Sequence, residues 1–225
     1  MGFISTAASV LNAVAFVQQA SDLATIGTRW QLYAKSDGFY QQDPSGTVKR
    51  LLTSTDVPSA TTGELFLSAG GGWASTTSGC AANAKNEYTT NDLDLYSLDF
   101  DATTIEYAQW SVWMPDAWDA GTLTAEFAWS AASSTGDVIW GLQGRAFAND
   151  DAIDQAWGTA QEVTDTLLAT GDMHYTSATS AITLAGTAAA GEFVQFRAYR
   201  KASDGSDTLG ADAQLLGIKL TYTKA

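Results

Sequence analysis

The chain has 225 residues, of which 45% are hydrophobic and only 16% are charged. This composition excludes a charge-rich disordered chain and a long coiled coil, and the length suits one large all-β domain with a small appendage. The net charge of -14 at pH 7 argues against nucleic acid and anionic membrane as partners, because phosphates are bound through Lys and Arg.

The cysteine content and the N-terminal stretch bear on the compartment. Cys80 is the only cysteine, so the chain forms no internal disulfide and needs no oxidising environment. Residues 3–17 are apolar, but they lack the basic start of a secretion signal and the length of a membrane span. We therefore expect synthesis in a cytoplasm without membrane insertion.

Residues 1–28 are small, neutral and free of proline. Their apolar side chains can form one stripe on a helix, although part of the stretch also suits a strand. An apolar stripe without a partner inside so short a segment favours contact with another chain. We interpret residues 1–28 as a docking segment, with these predicted contact residues: Val10, Leu11, Val14, Phe16 and Val17.

Residues 29–52 hold three short β-prone runs, separated by Ser-Asp-Gly at 36–38 and Asp-Pro-Ser-Gly at 43–46. Both turn sequences are typical of tight reversals, so the segment is predicted to be a three-stranded β-meander. About 24 residues cannot bury a core alone. The meander is therefore expected to pack on the main domain or on copies of itself, and we predict a homotrimer.

Residues 53–91 are predicted to be a connection. They begin with a Ser/Thr linker that contains Pro58 and include a Gly/Ser/Thr-rich stretch at 68–78. Segments of this composition commonly separate structural elements.

From residue 92 onward, apolar and polar residues alternate with a period of two. This period predicts strands with one buried and one wet face, and about eight of them indicate an antiparallel β-sandwich over residues 92–225, most plausibly a jelly roll. The predicted strands are 93–100, 110–114, 122–130, 138–142, 159–163, 182–185, 192–200 and 214–222. One helical interruption is predicted at 149–157, where Asn149 can cap the first turn.

Eight tryptophans are many for this length. Large buried rings stabilise a sandwich that has no disulfide, so most of them are predicted to be core residues, including Trp110, Trp129 and Trp140. Three other tryptophans fall on predicted loops or at strand positions that do not face the core. Exposed rings at such positions can stack on sugars. The candidate glycan-contact residues are Trp73, Trp113 and Trp118.

The ionisable residues predict no catalytic constellation. The single histidine, His174, has no nucleophile motif beside it and is interpreted as a solvated loop residue. Asp150, Asp151 and Asp154 form the densest acidic cluster and are a candidate Ca²⁺ site, although EF-hand spacing is absent. No other cofactor is expected. The chain is predicted not to be an enzyme, and a carbohydrate-binding module or weak glycan hydrolase using loop Trp and Asp residues stays as the alternative.

Two parts of the chain resemble phage proteins. Residues 18–48, with Leu-Tyr-x-Lys-x-Asp-Gly-x-Tyr followed by Asp-x-x-Gly-Thr, resemble a module near the start of many tailed-phage fibre and virion proteins. Residues 138–146, 152–165, 181–187 and 215–222 look like a domain that recurs in phage structural proteins. No catalytic residue is carried over from either resemblance.

The resemblance implies a structural virion protein, either a tail fibre or a capsid-decorating head fibre. Its implied partners are copies of itself, phage capsid or tail proteins, and a glycan of the host surface. Charge agrees with this arrangement, because residues 1–60 hold four basic and four acidic residues and the remainder carries the whole net charge of -14. We expect residues 1–28 to attach to the virion and the acidic sandwich to project outward.

Overall fold

The computed structural model describes residues 30–35, 38–51 and 61–225. The chain divides into two compact units, Met1–Ser59 and Ala60–Ala225. The described residues hold no α-helix; their one helical element is the 3₁₀ turn at Ala69–Gly71, so no helix among them has the length to span a membrane. The predicted docking segment at residues 1–28, with its five contact residues, lies outside the described residues.

The first unit contains the predicted meander. Its strands are β1 (Gln31–Lys35), β2 (Gly38–Gln42) and β3 (Val48–Arg50), in that order in one antiparallel sheet. Tyr33 and Tyr40 face each other across β1 and β2, and their rings stack with centroids 5.8 Å apart. The turn before β3 is closed by the Asp43 carboxylate, which accepts from the backbone N–H groups of Ser45 at 2.9 Å and Thr47 at 2.8 Å. The sheet confirms the predicted meander.

The second unit is an all-β sandwich. Its strands are β4 (Thr62–Ser68), β5 (Trp73–Ala74), β6 (Ala84–Tyr88), β7 (Leu93–Phe100), β8 (Glu106–Trp113), β9 (Trp118–Ser130), β10 (Gly136–Phe147), β11 (Gln161–Leu167), β12 (His174–Tyr175), β13 (Phe193–Arg200) and β14 (Ala213–Lys224). One sheet has the order β11-β10-β13-β8-β5, and the other has the order β12-β9-β14-β7-β6 with β4 also paired to β14.

Most successive strands alternate between the two sheets. The chain crosses from one sheet to the other between β7 and β8, β8 and β9, β9 and β10, and again from β11 through β14, whereas β10 and β11 form a hairpin within one sheet. All paired strands are antiparallel. This connectivity is that of the predicted jelly-roll sandwich.

Aromatic rings fill the space between the sheets. Trp110, Trp129 and Trp140 are all buried, as predicted. The Trp140 ring stacks on Phe127 at 5.6 Å between centroids and meets Phe100 edge-on at 5.1 Å. Offset and edge-to-face contacts of this kind add to the stability gained from burying the rings themselves.

A β-bulge interrupts β14. Its pairing with β9 shifts register between Leu215 and Gly217. Leu215 and Ile218 are both buried, and Leu216 is only half-buried. The bulge lies where β14 changes partner on one flank, from β7 to β4.

The predicted connection at 53–91 is wrong over most of its length, because β4, β5 and β6 belong to the sandwich. The sandwich therefore begins at Thr62 rather than at residue 92. The small residues that suggested a linker make room for rings: a Cβ on Gly63 would fall 2.1 Å from the Tyr222 ring, and one on Gly72 would fall 2.5 Å from the Trp110 indole. The Trp110 indole N–H donates to the Ser68 carbonyl at 2.8 Å.

The predicted strand at 182–185 is also wrong. Ile182 bridges Leu123 in one sheet, and Ala185 bridges Arg145 in the other. Because this segment crosses from one sheet to the other, only one of its residues pairs with each sheet. It therefore forms two isolated bridges instead of a strand.

A buried ion pair fixes the loop between β13 and β14. Arg200 points inward and is fully buried together with the Asp207 side chain. Its guanidinium also donates to the backbone carbonyls of Leu209 and Ala211. A buried charge needs such a complete set of partners.

Candidate functional site

The outer face of the five-stranded sheet presents three aromatic side chains in one row. Phe147 on β10, Phe193 on β13 and Trp113 on β8 are directly paired neighbours in the antiparallel register. The Phe193 ring centroid lies 6.3 Å from Phe147 and 6.0 Å from Trp113. Trp113 is 70% exposed, and the two phenylalanines are half-buried. We call these three residues the aromatic row.

Polar side chains occupy the next positions along the same strands. Ser111 Oγ donates to Gln195 Oε1 at 2.6 Å, Gln195 Nε2 donates to Gln109 Oε1 at 3.1 Å, and Gln109 Nε2 donates to Ser75 Oγ at 2.9 Å. This chain of hydrogen bonds holds both amides in fixed orientations. Each amide keeps further donor and acceptor capacity for a ligand.

The connection between β10 and β11 folds back over this face. Trp157 in this connection lies over the Arg197 guanidinium at 4.8 Å, and Tyr107 lies 4.5 Å from the same guanidinium. Arg145 ties the connection to the sheet by donating to the Ala156 carbonyl at 3.0 Å. Burial lowers the pKa of Arg197 from its ordinary value. The tryptophan is thus positioned above the sheet by stacking on an arginine.

The helix predicted at 149–157 is absent from this connection. Asp150 has a φ of 72°, which lies in the left-handed region and breaks a right-handed helix. The Asp151 carboxylate accepts from the Ala148 N–H at 3.0 Å and closes a local turn. Gly158 then donates its N–H to the Gly144 carbonyl at 3.2 Å, so the connection is held to the sheet.

Together these elements form an open groove of about 610 Å³. Two rings of the aromatic row lie at one end, the ordered amides form the floor and the connection between β10 and β11 forms a wall. The lining residues that define its chemistry are Gln109, Arg145, Phe147, Asp154, Trp157 and Phe193. The groove combines flat apolar surfaces with a few oriented polar groups, which is the usual composition of a small-ligand site.

The structure separates the three tryptophans predicted from the sequence as glycan contacts. Trp113 belongs to the aromatic row, and Trp73 on β5 is 45% exposed and lies opposite Gln109 on the same outer face. Trp118 is 1% exposed, so its prediction as an exposed residue is wrong. β9 begins at Trp118, four residues before the predicted start, and the positive φ of 59° at Ala120 interrupts its alternation.

The candidate Ca²⁺ site is not assembled. Within the part of the chain that the structure describes, no three His, Cys, Asp or Glu side chains are grouped as a metal site would require. Asp150, Asp151 and Asp154 therefore do not form such a group, and Asp151 instead caps its turn.

His174 is buried, so its interpretation as a solvated loop residue is wrong. It lies on β12 opposite Trp129, with the two rings 5.0 Å apart. Its Nε2 lies at hydrogen-bond distance, 3.0 Å, from the Ala169 carbonyl. These contacts make His174 part of the packing beneath β12.

The sequence interpretation missed most of the groove, including Phe147, Phe193 and Trp157. One signal was present: Phe193 shares the outward phase of β13 with Gln195 and Arg197. A large aromatic residue on the wet phase of a strand indicates a binding surface or a crowded loop contact.

No family model matches the chain, and no curated protein is similar to it in sequence. Among solved structures, it is similar to the CBM22-2 xylan-binding domain of Xyn10C from Paenibacillus barcinonensis, with 11% identity, a TM-score of 0.39 and coverage of 71% of this chain and 99% of that one. It is also similar to the C-terminal CBM6 of the laminarinase LamC from Zobellia galactanivorans, with 12% identity, a TM-score of 0.36 and coverage of 71% and 99%.

A family 11 carbohydrate-binding module from Clostridium thermocellum is similar at 10% identity and a TM-score of 0.36, with coverage of 73% of this chain and 90% of that one. Scores at this level do not transfer a function.

Proposed function

We propose that the sandwich binds a neutral glycan along the outer face of its five-stranded sheet, without cleaving it. The observation that carries the proposal is the aromatic row of Trp113, Phe147 and Phe193 beside the hydrogen-bonded amides of Gln109 and Gln195.

A sugar ring needs both kinds of surface. Its C–H groups form an apolar face that gains from contact with a flat aromatic ring, and its hydroxyl groups need donors and acceptors at its rim. The groove offers rings at Phe193 and Trp157 and amides between them. Amides already fixed by neighbouring side chains lose little conformational freedom when a ligand binds.

Charge favours a neutral ligand. Residues 1–60 hold four basic and four acidic residues, so residues 61–225 carry the whole net charge of -14. A polyanionic glycan would be repelled by this field. The two arginines of the face are also engaged already, Arg145 with the Ala156 carbonyl and Arg197 between the rings of Tyr107 and Trp157.

Binding without hydrolysis is supported by the state of the carboxylates near the face. Glu162 accepts from the Tyr199 hydroxyl at 2.6 Å and from Lys201 Nζ at 2.9 Å, and Asp151 caps its turn. Glu106 has a raised pKa, mainly through burial, but its side chain accepts from the Asp101 N–H and does not line the groove. Asp154 also lines the groove, but a glycosidase needs two carboxylates that flank one bond, one of them kept protonated, and the other carboxylate of the lining is the turn-capping Asp151.

The test is affinity electrophoresis on neutral β-glucan, xylan, mannan and galactan, with an acidic bacterial capsular polysaccharide beside them. We expect retardation by at least one neutral polymer and a loss of affinity of about tenfold or more in the Trp113→Ala and Trp157→Ala variants. Tyr96→Ala is the matched control, because Tyr96 is an exposed ring on β7 in the other sheet.

No retardation by any neutral polymer refutes the proposal. Retardation that is undiminished in the Trp113→Ala and Trp157→Ala variants places glycan binding elsewhere. Release of reducing ends from a bound polymer would show that the protein is a hydrolase.

A second candidate function rests on the phage resemblance of residues 18–48 and on the small sheet found there. We also propose that the sandwich is carried on a virion as a fibre or decoration protein, attached through residues 1–28 and trimeric through its N-terminal part. In that setting the glycan is one on the host surface. The three short strands of this sheet, within residues 31–50, are too small to bury a core by themselves, which favours packing against a partner.

Deletion of residues 1–28 tests the attachment. The shortened chain is expected to remain folded but to be lost from particles, and its continued incorporation would contradict the proposal. Sedimentation of the full chain tests the assembly, and a monomer at micromolar concentration would exclude the trimer.

A further inference from the structure

The six-stranded sheet carries a second open groove on its own outer face, about 610 Å³ in volume. Two exposed rings line it, Phe66 on β4 and Tyr175 on β12, which are 66% and 69% exposed. The groove is therefore on the opposite side of the sandwich from the aromatic row.

The floor between the two rings is made of very small residues. Gly217 on β14 pairs with Ala128 on β9, and Ala128 pairs with Tyr175 on β12. The Phe66 ring leans over Gly217, where an added Cβ would fall 2.4 Å from a ring carbon. The Phe66 ring therefore fills the space above Gly217, and only the small Ala128 side chain lies between Gly217 and Tyr175 in this row.

Charged groups lie beside the rings. Lys219 Nζ is 2.8 Å from a Glu126 carboxylate oxygen and 4.0 Å from a Glu64 carboxylate oxygen. The hydrogen bond to Glu126 raises the pKa of Lys219. These groups supply donors and acceptors next to the apolar rings, and the ammonium is already neutralised by its partners.

We propose that this groove is a second saccharide site, in which Phe66 and Tyr175 contact the faces of a neutral glycan while Lys219 and Glu126 bind its hydroxyls. The choice of ligand class rests on the proposed function of the sandwich. A dry protein or lipid partner would desolvate the lysine and both carboxylates, which is costly, whereas a sugar offers hydroxyl groups to them. The sandwich then holds two glycan segments, one on each sheet.

The experiment is calorimetric titration with neutral β-gluco-, xylo-, manno- and galacto-hexasaccharides. The wild-type chain is expected to bind two molecules of at least one hexasaccharide. The Phe66→Ala/Tyr175→Ala variant and the Trp113→Ala/Trp157→Ala variant are each expected to bind one. The Phe66→Tyr/Tyr175→Phe variant retains both rings and is expected to bind two, with near-ultraviolet circular dichroism as the check on folding in every variant.

Each outcome separates the two proposals. One bound molecule that is lost only with Trp113 and Trp157 overturns the second site and leaves the proposed function intact. One bound molecule that is lost only with Phe66 and Tyr175 supports the second site and overturns the first. Binding of none of the four probes overturns both.

Two further measurements use long polymers and the free protein. Two sites on opposite sheets let one chain link two polymer strands, so the wild type is expected to cross-link the polysaccharide that it binds at a lower protein concentration than either paired variant. A sedimenting oligomer that the Phe66→Ala/Tyr175→Ala variant dissociates would instead assign the groove to a second copy of the chain and overturn the saccharide site.

Discussion

Replacing Arg200 with Met is expected to lower the free energy of unfolding by about 3–5 kcal/mol, because it leaves a buried carboxylate without its cation. The side chains of Arg200 and Asp207 are fully buried and 2.8 Å apart. The guanidinium also donates to the carbonyls of Leu209 and Ala211. Met fills a similar volume but makes none of these hydrogen bonds. The Asp207 carboxylate also accepts a hydrogen bond from the Ile139 N–H at 3.0 Å. This hydrogen bond is expected to remain in the Arg200→Met variant.

The decrease in unfolding free energy in Arg200→Met measures the cost of leaving the buried Asp207 carboxylate without a cation, and not the net contribution of the ion pair to stability. The Arg200→Met/Asp207→Leu variant removes both charges and is expected to be more stable than Arg200→Met alone, since well-packed apolar replacements of buried ion pairs are often tolerated. It is not expected to reach the wild-type value, because the carbonyls of Phe100, Leu209 and Ala211 have lost a donor and the Ile139 N–H has lost its acceptor. Each group left unsatisfied costs about 1–3 kcal/mol.

Urea denaturation followed by tryptophan fluorescence measures these differences, with equal m-values showing that the same surface unfolds. Lys201→Met is the control: Lys201 pairs with Glu162 at 2.9 Å and Asp204 at 3.3 Å in partly exposed positions, and its loss is expected to cost about 1 kcal/mol or less. If Arg200→Met costs no more than Lys201→Met, the reasoning from burial is wrong.

Three further predictions concern single side chains. Hydrogen bonds from Thr103 and its neighbour lower the pKa of Asp101 from 3.8 to about 2. The Asp101 carboxylate therefore stabilises the fold above pH 3.8 and ceases to do so as the pH falls through 2. Because the group is so exposed, the difference in unfolding free energy between the wild type and Asp101→Asn is expected to be below about 1 kcal/mol at pH 7, and to vanish over that pH interval in an acid titration. Burial raises the pKa of Cys80 to about 12, so a thiol reagent at pH 8 is expected to react only after denaturation, and rapid labelling of the folded chain would contradict its burial. The Trp129 indole donates to Asp165 at 2.7 Å, so Asp165→Ala is expected to lower the unfolding free energy by about 1–3 kcal/mol in the same urea assay.

The strands that the sequence predicts best are those whose two faces differ in polarity. β7 has the predicted bounds, and β9 and β13 contain or nearly match the predicted runs. β4 and β5 are not predicted, because the small residues in and beside these strands are typical of a linker. Gly63 and Gly72 are small because the rings of Tyr222 and Trp110 pack against them. A glycine that makes room for a distant ring is indistinguishable, in the sequence alone, from a glycine in a linker.

The candidate sites are less predictable than the strands for a similar reason. Trp113 is visible as an exposed ring, but its row with Phe193 and Phe147 depends on the register between strands that are up to 80 residues apart in the chain. The second groove depends on Phe66 and Tyr175, which lie on strands that were not predicted at all. Register and long-range pairing are set by the whole core, so a local pattern does not contain them.

The bulge in β14 restricts how the length of this strand can vary. Neighbouring residues of a strand face opposite sides, so the extra residue at Leu216 allows Leu215 and Ile218 both to face the core. Deletion of Leu216 would remove the bulge and leave Leu215 and Gly217 as successive partners of Trp129 and Ala128, whereas deletion of a residue from the regular run that follows, 217–222, would turn part of the strand inside out. Losses of single residues are therefore tolerable in the loops that connect the sheets and at the bulge itself, but not in the regular run of the strand that pairs with β4 and β9.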